Sequence, residues 1–150
     1  MSYLTHSDYT PRFIEISLSA DQSISAATAT TVDFDTIRGD SGHGVSLVSG
    51  GNGRIRFSAD RHYWCFVTAA IDRDSNTTNY DTSFFETDGT ELTEAQGNFK
   101  SSLPIGNNAE SRITQLVFNP SVQTDYDLKV TGETGTLQSD GSYLFIIEMS

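Results

Sequence analysis

Cysteine occurs once in these 150 residues, at Cys65, which excludes an internal disulfide and any multi-thiolate zinc site. Its neighbours Trp64 and Phe66 place it in an apolar stretch, so the thiol is expected to be buried and inert. Lysine occurs only at Lys100 and Lys129, and 9 basic residues stand against 20 acidic ones for a formal charge of −11. Such a chain repels phosphate backbones, and Asp60 interrupts the densest basic stretch, Arg54, Arg56 and Arg61. No nucleic-acid partner is expected. No segment approaches the ~18 consecutive apolar residues that span a bilayer, and residues 1–9 carry neither a basic n-region nor an apolar run. Neither a membrane partner nor a signal peptide is therefore expected. A sustained 3.6-residue apolar period is also missing. The nearest approach, residues 91–99, includes Glu91, Glu94 and Gly97, so helix is expected to be minor.

Serine and threonine are abundant, at 19 and 18 residues, and the apolar set leans towards Phe, Tyr, Val and Ile, a mix that favours strands. Turn signals recur at residues 39–44, 49–53, 72–79, 88–89, 106–108, 119–120, 132–135 and 140–141. Strand-like runs lie between them, at residues 32–37, 44–48, 54–58, 62–71, 80–86, 112–118, 125–131 and 142–149. Eight short strands without βαβ alternation indicate an all-β fold, an antiparallel jelly-roll sandwich. An immunoglobulin-type sandwich would need paired cysteines or a comparable pin. Residues 1–20 stand apart as an extended N-terminal arm that ends in a short alternating strand, Ile14 to Leu18, leaving 21–150 as the jelly-roll domain. Residues 23–31, with Ile24 as their only large apolar side chain, read as an edge strand or a linker.

Two kinds of strand can be told apart by counting faces. In residues 125–130 Tyr126, Leu128 and Val130 alternate with Asp125, Asp127 and Lys129, which puts the first set on a core and the second in water. Residues 54–57 do the same. Residues 63–67 and 143–147 are instead apolar on both faces, and such strands need two covers. A monomer would expose their rings as a patch of several hundred Å², which soluble monomers seldom tolerate. A second copy is the expected cover. The candidate interface residues are Tyr63, Trp64, Phe66, Tyr143, Phe145 and Ile147.

The run from Gly53-Arg-Ile-Arg-Phe57 through the turn to Tyr63-Trp-Cys-Phe66 resembles a motif in the globular heads of complement-type and tumour-necrosis-factor-like proteins. Leu128-Lys-Val130, a Gly-rich loop and Asp140-Gly-Ser-Tyr143-Leu-Phe145-Ile-Ile147 are similar to the last two strands of that fold. The resemblance covers residues 31–149 and implies a compact homotrimer, as in related bacteriophage capsid cement proteins and fibre heads. Eukaryotic relatives carry a collagen stalk or a membrane anchor; no Gly-X-Y repeat or apolar span occurs here.

No signature of catalysis emerges. The histidines, His6, His43 and His62, fall in the arm, a Gly-rich loop and a strand entrance, with no nucleophile elbow or triad pattern around them. The carboxylate pairs Asp33 with Asp35 and Asp125 with Asp127 read as solvated strand faces rather than a glycosidase pair. Residues 49–53 lack the Lys-Ser/Thr and following helix of a phosphate loop. Asp72, Asp74 and Asn76 imitate the start of a calcium loop, to which Asp81 could be added. Thr77 and Ser83 replace the glycine and glutamate that an EF-hand requires. No cofactor or metal is expected.

The expected function is thus that of a non-enzymatic virion protein. It would be a trimeric capsid cement or decoration subunit, made in the host cytoplasm and placed on the capsid surface. In the arm, Tyr3, Leu4, Tyr9 and Phe13 offer anchors on a segment too irregular to bury itself, which suits ordering upon the major capsid protein or another virion protein. The alternative is a receptor- or carbohydrate-binding fibre head, with sites in the loops at residues 72–79 and 106–110. A cytokine-like ligand is a third class, but without an export signal.

Overall fold

The computed structural model describes residues 12–26, 28–39, 44–50, 52–73, 80–92 and 110–149. Every regular element among them is a strand: β1 (Arg12–Ser17), β2 (Gln22–Ile24), β3 (Thr30–Thr31), β4 (Thr36–Gly39), β5 (Val45–Leu47), β6 (Ile55–Phe57), β7 (His62–Arg73), β8 (Asp81–Glu86), β9 (Glu110–Phe118), β10 (Thr124–Thr131), β11 (Gly135–Leu137) and β12 (Tyr143–Met149). One sheet runs β2-β11-β7-β12-β1-β4, with β9 also paired to β7. The other runs β3-β10-β6-β5, with β8 also paired to β10. Strands distant in sequence lie side by side in each sheet, as a jelly roll requires, and the two sheets stack face to face.

Period-two patterning decides which side chains lie between the sheets. From the larger sheet come Ile14 and Ile16 of β1, Tyr63, Cys65 and Val67 of β7, and Leu144 and Ile146 of β12. From the smaller come Ile55, Phe57, Phe84, Leu128 and Val130, all buried. Phe57 organises the aromatic part, meeting Tyr63 edge-on at 5.1 Å between centroids and Tyr126 at 5.8 Å. Such edge contacts add about 0.5–1.5 kcal/mol beyond the area they bury. Burial also pushes the Cys65 thiol far above its ordinary range, so it stays protonated and a poor nucleophile.

The segment expected to be a strand at residues 32–37 is regular only from Thr36. Phe34 N–H donates to the Val32 carbonyl at 2.9 Å, a three-residue bend that turns the chain while keeping Val32 and Phe34 in the core. Gly53, at φ +79°, lies against this bend. A Cβ there would collide with the Val32 carbonyl and crowd the Asp33 and Phe34 backbone, so no other residue fits. Of residues 23–31, read as an edge strand or linker, 23–24 belong to β2, which begins one residue earlier at Gln22, and 30–31 form β3. Residues 12–17 form β1, which lies between β12 and β4 and carries Ile14 and Ile16 into the core.

Candidate functional site

Because the inner faces of β1, β7 and β12 are taken by aliphatic and aromatic side chains, their alternate residues emerge on the outside of the larger sheet. Register then aligns them in rows. Phe13, Ile147, Trp64 and Val117 are successive cross-strand neighbours in β1, β12, β7 and β9. Glu15, Phe145 and Phe66 form the next row, and Ser17, Tyr143 and Thr68 the one after. Between the first two rows Phe13 meets Phe145 at 5.7 Å and Trp64 meets Phe66 at 4.6 Å between ring centroids, both tilted. Phe13 is 56% exposed, Val117 58% and Tyr143 37%, whereas Trp64, Phe66, Phe145 and Ile147 between them are half-buried. Arg38 reaches Glu15 at 3.8 Å and marks a polar border along β4.

Five of the six expected interface residues, Trp64, Phe66, Tyr143, Phe145 and Ile147, therefore share one surface. Tyr63 does not. It faces the core with no exposure, and its hydroxyl donates to the Gly44 carbonyl at 3.0 Å and to the Ser58 carbonyl at 3.2 Å. Burial, first, and nearby Glu148 raise its pKa. Three expected arm anchors, Tyr3, Leu4 and Tyr9, lie outside the described residues, whereas Phe13 stands on the aromatic surface. Its place, and that of Val117, depends on strand order that no local pattern reveals.

The outside of the smaller sheet differs in kind. Arg54 makes a bidentate pair with Asp127, with both contacts at 2.9 Å, and Arg56 makes one with Asp125, with both at 2.8 Å. Lys129 sits 4.6 Å over the Phe85 ring. The carboxylates expected to face water are thus partnered across β6 and β10, and Asp127 is buried beneath its arginine. Hydrogen bonds from Arg56 hold the Asp125 carboxyl below the ordinary aspartate range. Alternation of Arg54 with Arg56 and of Asp125 with Asp127 was the only available signal, since pairing register cannot be read locally.

At the larger sheet's end, Glu148 is buried. It accepts from the Gly44 N–H at 3.0 Å and pairs with the Arg61 guanidinium. Of the calcium-loop candidates, Asp72 is exposed at the end of β7, Asp81 begins β8, and Asp74 and Asn76 lie outside the described residues. Among the described residues no three His, Cys, Asp or Glu side chains gather as a metal cluster.

No protein-family model matches the chain. No curated protein matches it either. Solved structures do. Murine APRIL aligns with 93% of this chain over its whole length, at 14% identity and a TM-score of 0.62. Eiger TNF from S. frugiperda aligns with 93% of this chain and 93% of its own, at 13% identity and a TM-score of 0.57. The vertex protein P5 of PRD1 aligns with 92% of this chain and 94% of its own, at 13% identity and a TM-score of 0.50. These likenesses extend over the described sandwich from end to end, and the chain has the tumour-necrosis-factor-like jelly-roll fold.

Proposed function

We propose that this chain is a non-enzymatic structural protein of a virion that assembles as a homotrimer through the outer face of its larger sheet. The observation that carries the reading is the aromatic surface of Phe13, Trp64, Phe66, Tyr143, Phe145, Ile147 and Val117. At roughly 25 cal/mol per Å² of apolar area removed from water, the area that these side chains still expose supplies a gross drive for association. Support for the virion setting comes from PRD1 vertex protein P5, a phage component of the same fold and nearly the same length.

Within that setting the finer role is capsid cement or decoration on the capsid surface. Tyr3, Leu4 and Tyr9 would anchor the segment before Arg12 on the major capsid protein or a neighbouring virion protein. The acidic balance keeps the rest of the surface soluble and away from nucleic acid. Sedimentation of the purified protein with capsids that lack it tests this role. The wild type should co-sediment and a Tyr3→Ala, Leu4→Ala, Tyr9→Ala variant of unchanged mass should not. Equal sedimentation of both, or of neither, would refute the arm as the capsid anchor.

A further inference from the structure

Where β1, β4 and β12 end beside the loop before Tyr143, the surface opens into a cavity of about 620 Å³. That size lies within the range of small-molecule sites. Most of the hydroxyls that line it are already held by the protein. Asp35 receives the Ser19 N–H and the Thr36 hydroxyl, each at 2.9 Å, and the Ser19 hydroxyl as well. Asp21 receives the Ser139 N–H and hydroxyl, both at 2.7 Å. The Ser142 hydroxyl accepts from Ala70 N–H at 3.0 Å. The walls are thereby fixed before any ligand arrives.

Other groups around the cavity remain available. Ser17 Oγ is buried and has no hydrogen-bond partner among the described residues, a state that buried polar groups seldom keep. Glu15 and Arg38 stand on one side, only loosely paired and well exposed, while Asp140 and the Tyr143 ring stand on the other. This combination restricts the ligand class. Two carboxylates against one guanidinium oppose an anion, and the hydroxyl-rich lining gives a wholly apolar molecule little to bind. A neutral polyhydroxylated ring satisfies both conditions. Its hydroxyls can donate to the Glu15 and Asp140 carboxylates, and its oxygens can accept from Arg38.

We propose that this cavity is a saccharide-binding groove for one or two neutral sugar rings. It goes beyond the assembly reading, and the cavity adjoins that face, with Glu15, Ser17 and Tyr143 common to both and Arg38 at their border. The test uses the full-length protein, isotopically labelled, titrated separately with lactose, maltose and chitobiose to about 10 mM while amide resonances are followed. At least one sugar should give saturable shifts centred on Ser17, Thr36, Ser139 and Gly141. Arg38→Ala and Asp140→Asn should each weaken that binding about tenfold, with assembly mass unchanged. Absence of saturable shifts with all three sugars, or binding that neither substitution weakens, would overturn the proposal.

Discussion

The outsides of the two sheets present the same strand geometry and opposite chemistry. On the smaller sheet the outward charges beside and within β6 and β10 have partners, Arg54 with Asp127 and Arg56 with Asp125. On the larger sheet the outward rows of β1, β7 and β12 are largely aromatic and aliphatic, with Phe13 and Tyr143 exposed and Trp64, Phe66, Phe145 and Ile147 half-buried. Bidentate pairs tolerate water; exposed rings do not. A sheet finished with paired charges is a final surface, and one finished with rings is half of an interface. Each side chain is judged by what remains unsatisfied after the monomer has folded.

The comparison breaks most visibly if one charge is moved from the first surface to the second. Phe145→Asp would set a carboxylate in the centre of the aromatic rows, where burial without a partner costs several kcal/mol. Light scattering should show one-chain mass in place of the assembly, with the sheet signal in circular dichroism retained. Unchanged mass would mean that the face is not an interface. A smaller effect is expected from Arg61→Leu, which leaves buried Glu148 without its guanidinium. Because Arg61 is itself partly exposed, the loss in denaturant unfolding should be about 2 kcal/mol rather than the larger penalty of a wholly enclosed pair.

Smaller still is the effect expected on the charged surface. Arg56→Leu should cost at most about 1 kcal/mol and leave the mass unchanged, because that pair is open to water. Acid sharpens this point. The Asp125 carboxyl is held below its ordinary pKa by hydrogen bonds from Arg56, so its stabilisation is complete above the ordinary aspartate value and is lost as pH falls through the lowered one. Between about pH 5 and pH 2 the wild type should therefore lose more melting temperature than Asp125→Asn does. Equal losses would show that the pair contributes nothing to the folded state.

Much of this contrast was legible in the sequence, and the limits have identifiable causes. Residues 125–130 alternate so cleanly that their inward set, Tyr126, Leu128 and Val130, could be named outright. The aromatic strands also announced that they need two covers. What they could not announce was parity: with Tyr63, Trp64, Cys65 and Phe66 all apolar, nothing local says which alternate set faces inward. Tyr63 faces the core because its hydroxyl reaches the Gly44 and Ser58 carbonyls, partners brought by other segments. The arginine–aspartate pairs and the row from Phe13 to Val117 were hidden for a similar reason, since both depend on long-range register. The bend at Val32 to Phe34 was hidden by composition, because buried apolar alternation looks the same in a strand and in a tight turn pressed against Gly53.

Whether the aromatic surface is an interface between copies is decided most directly by the mass of the wild-type protein in solution. Light scattering after size exclusion at about micromolar concentration should give three times the chain mass of 16.4 kDa. Dilution over about a hundredfold should not lower it, as befits a nanomolar or tighter association. A mass of 16.4 kDa at that concentration would leave the Phe13 and Tyr143 rings facing water in a stable monomer, and would contradict the homotrimer outright.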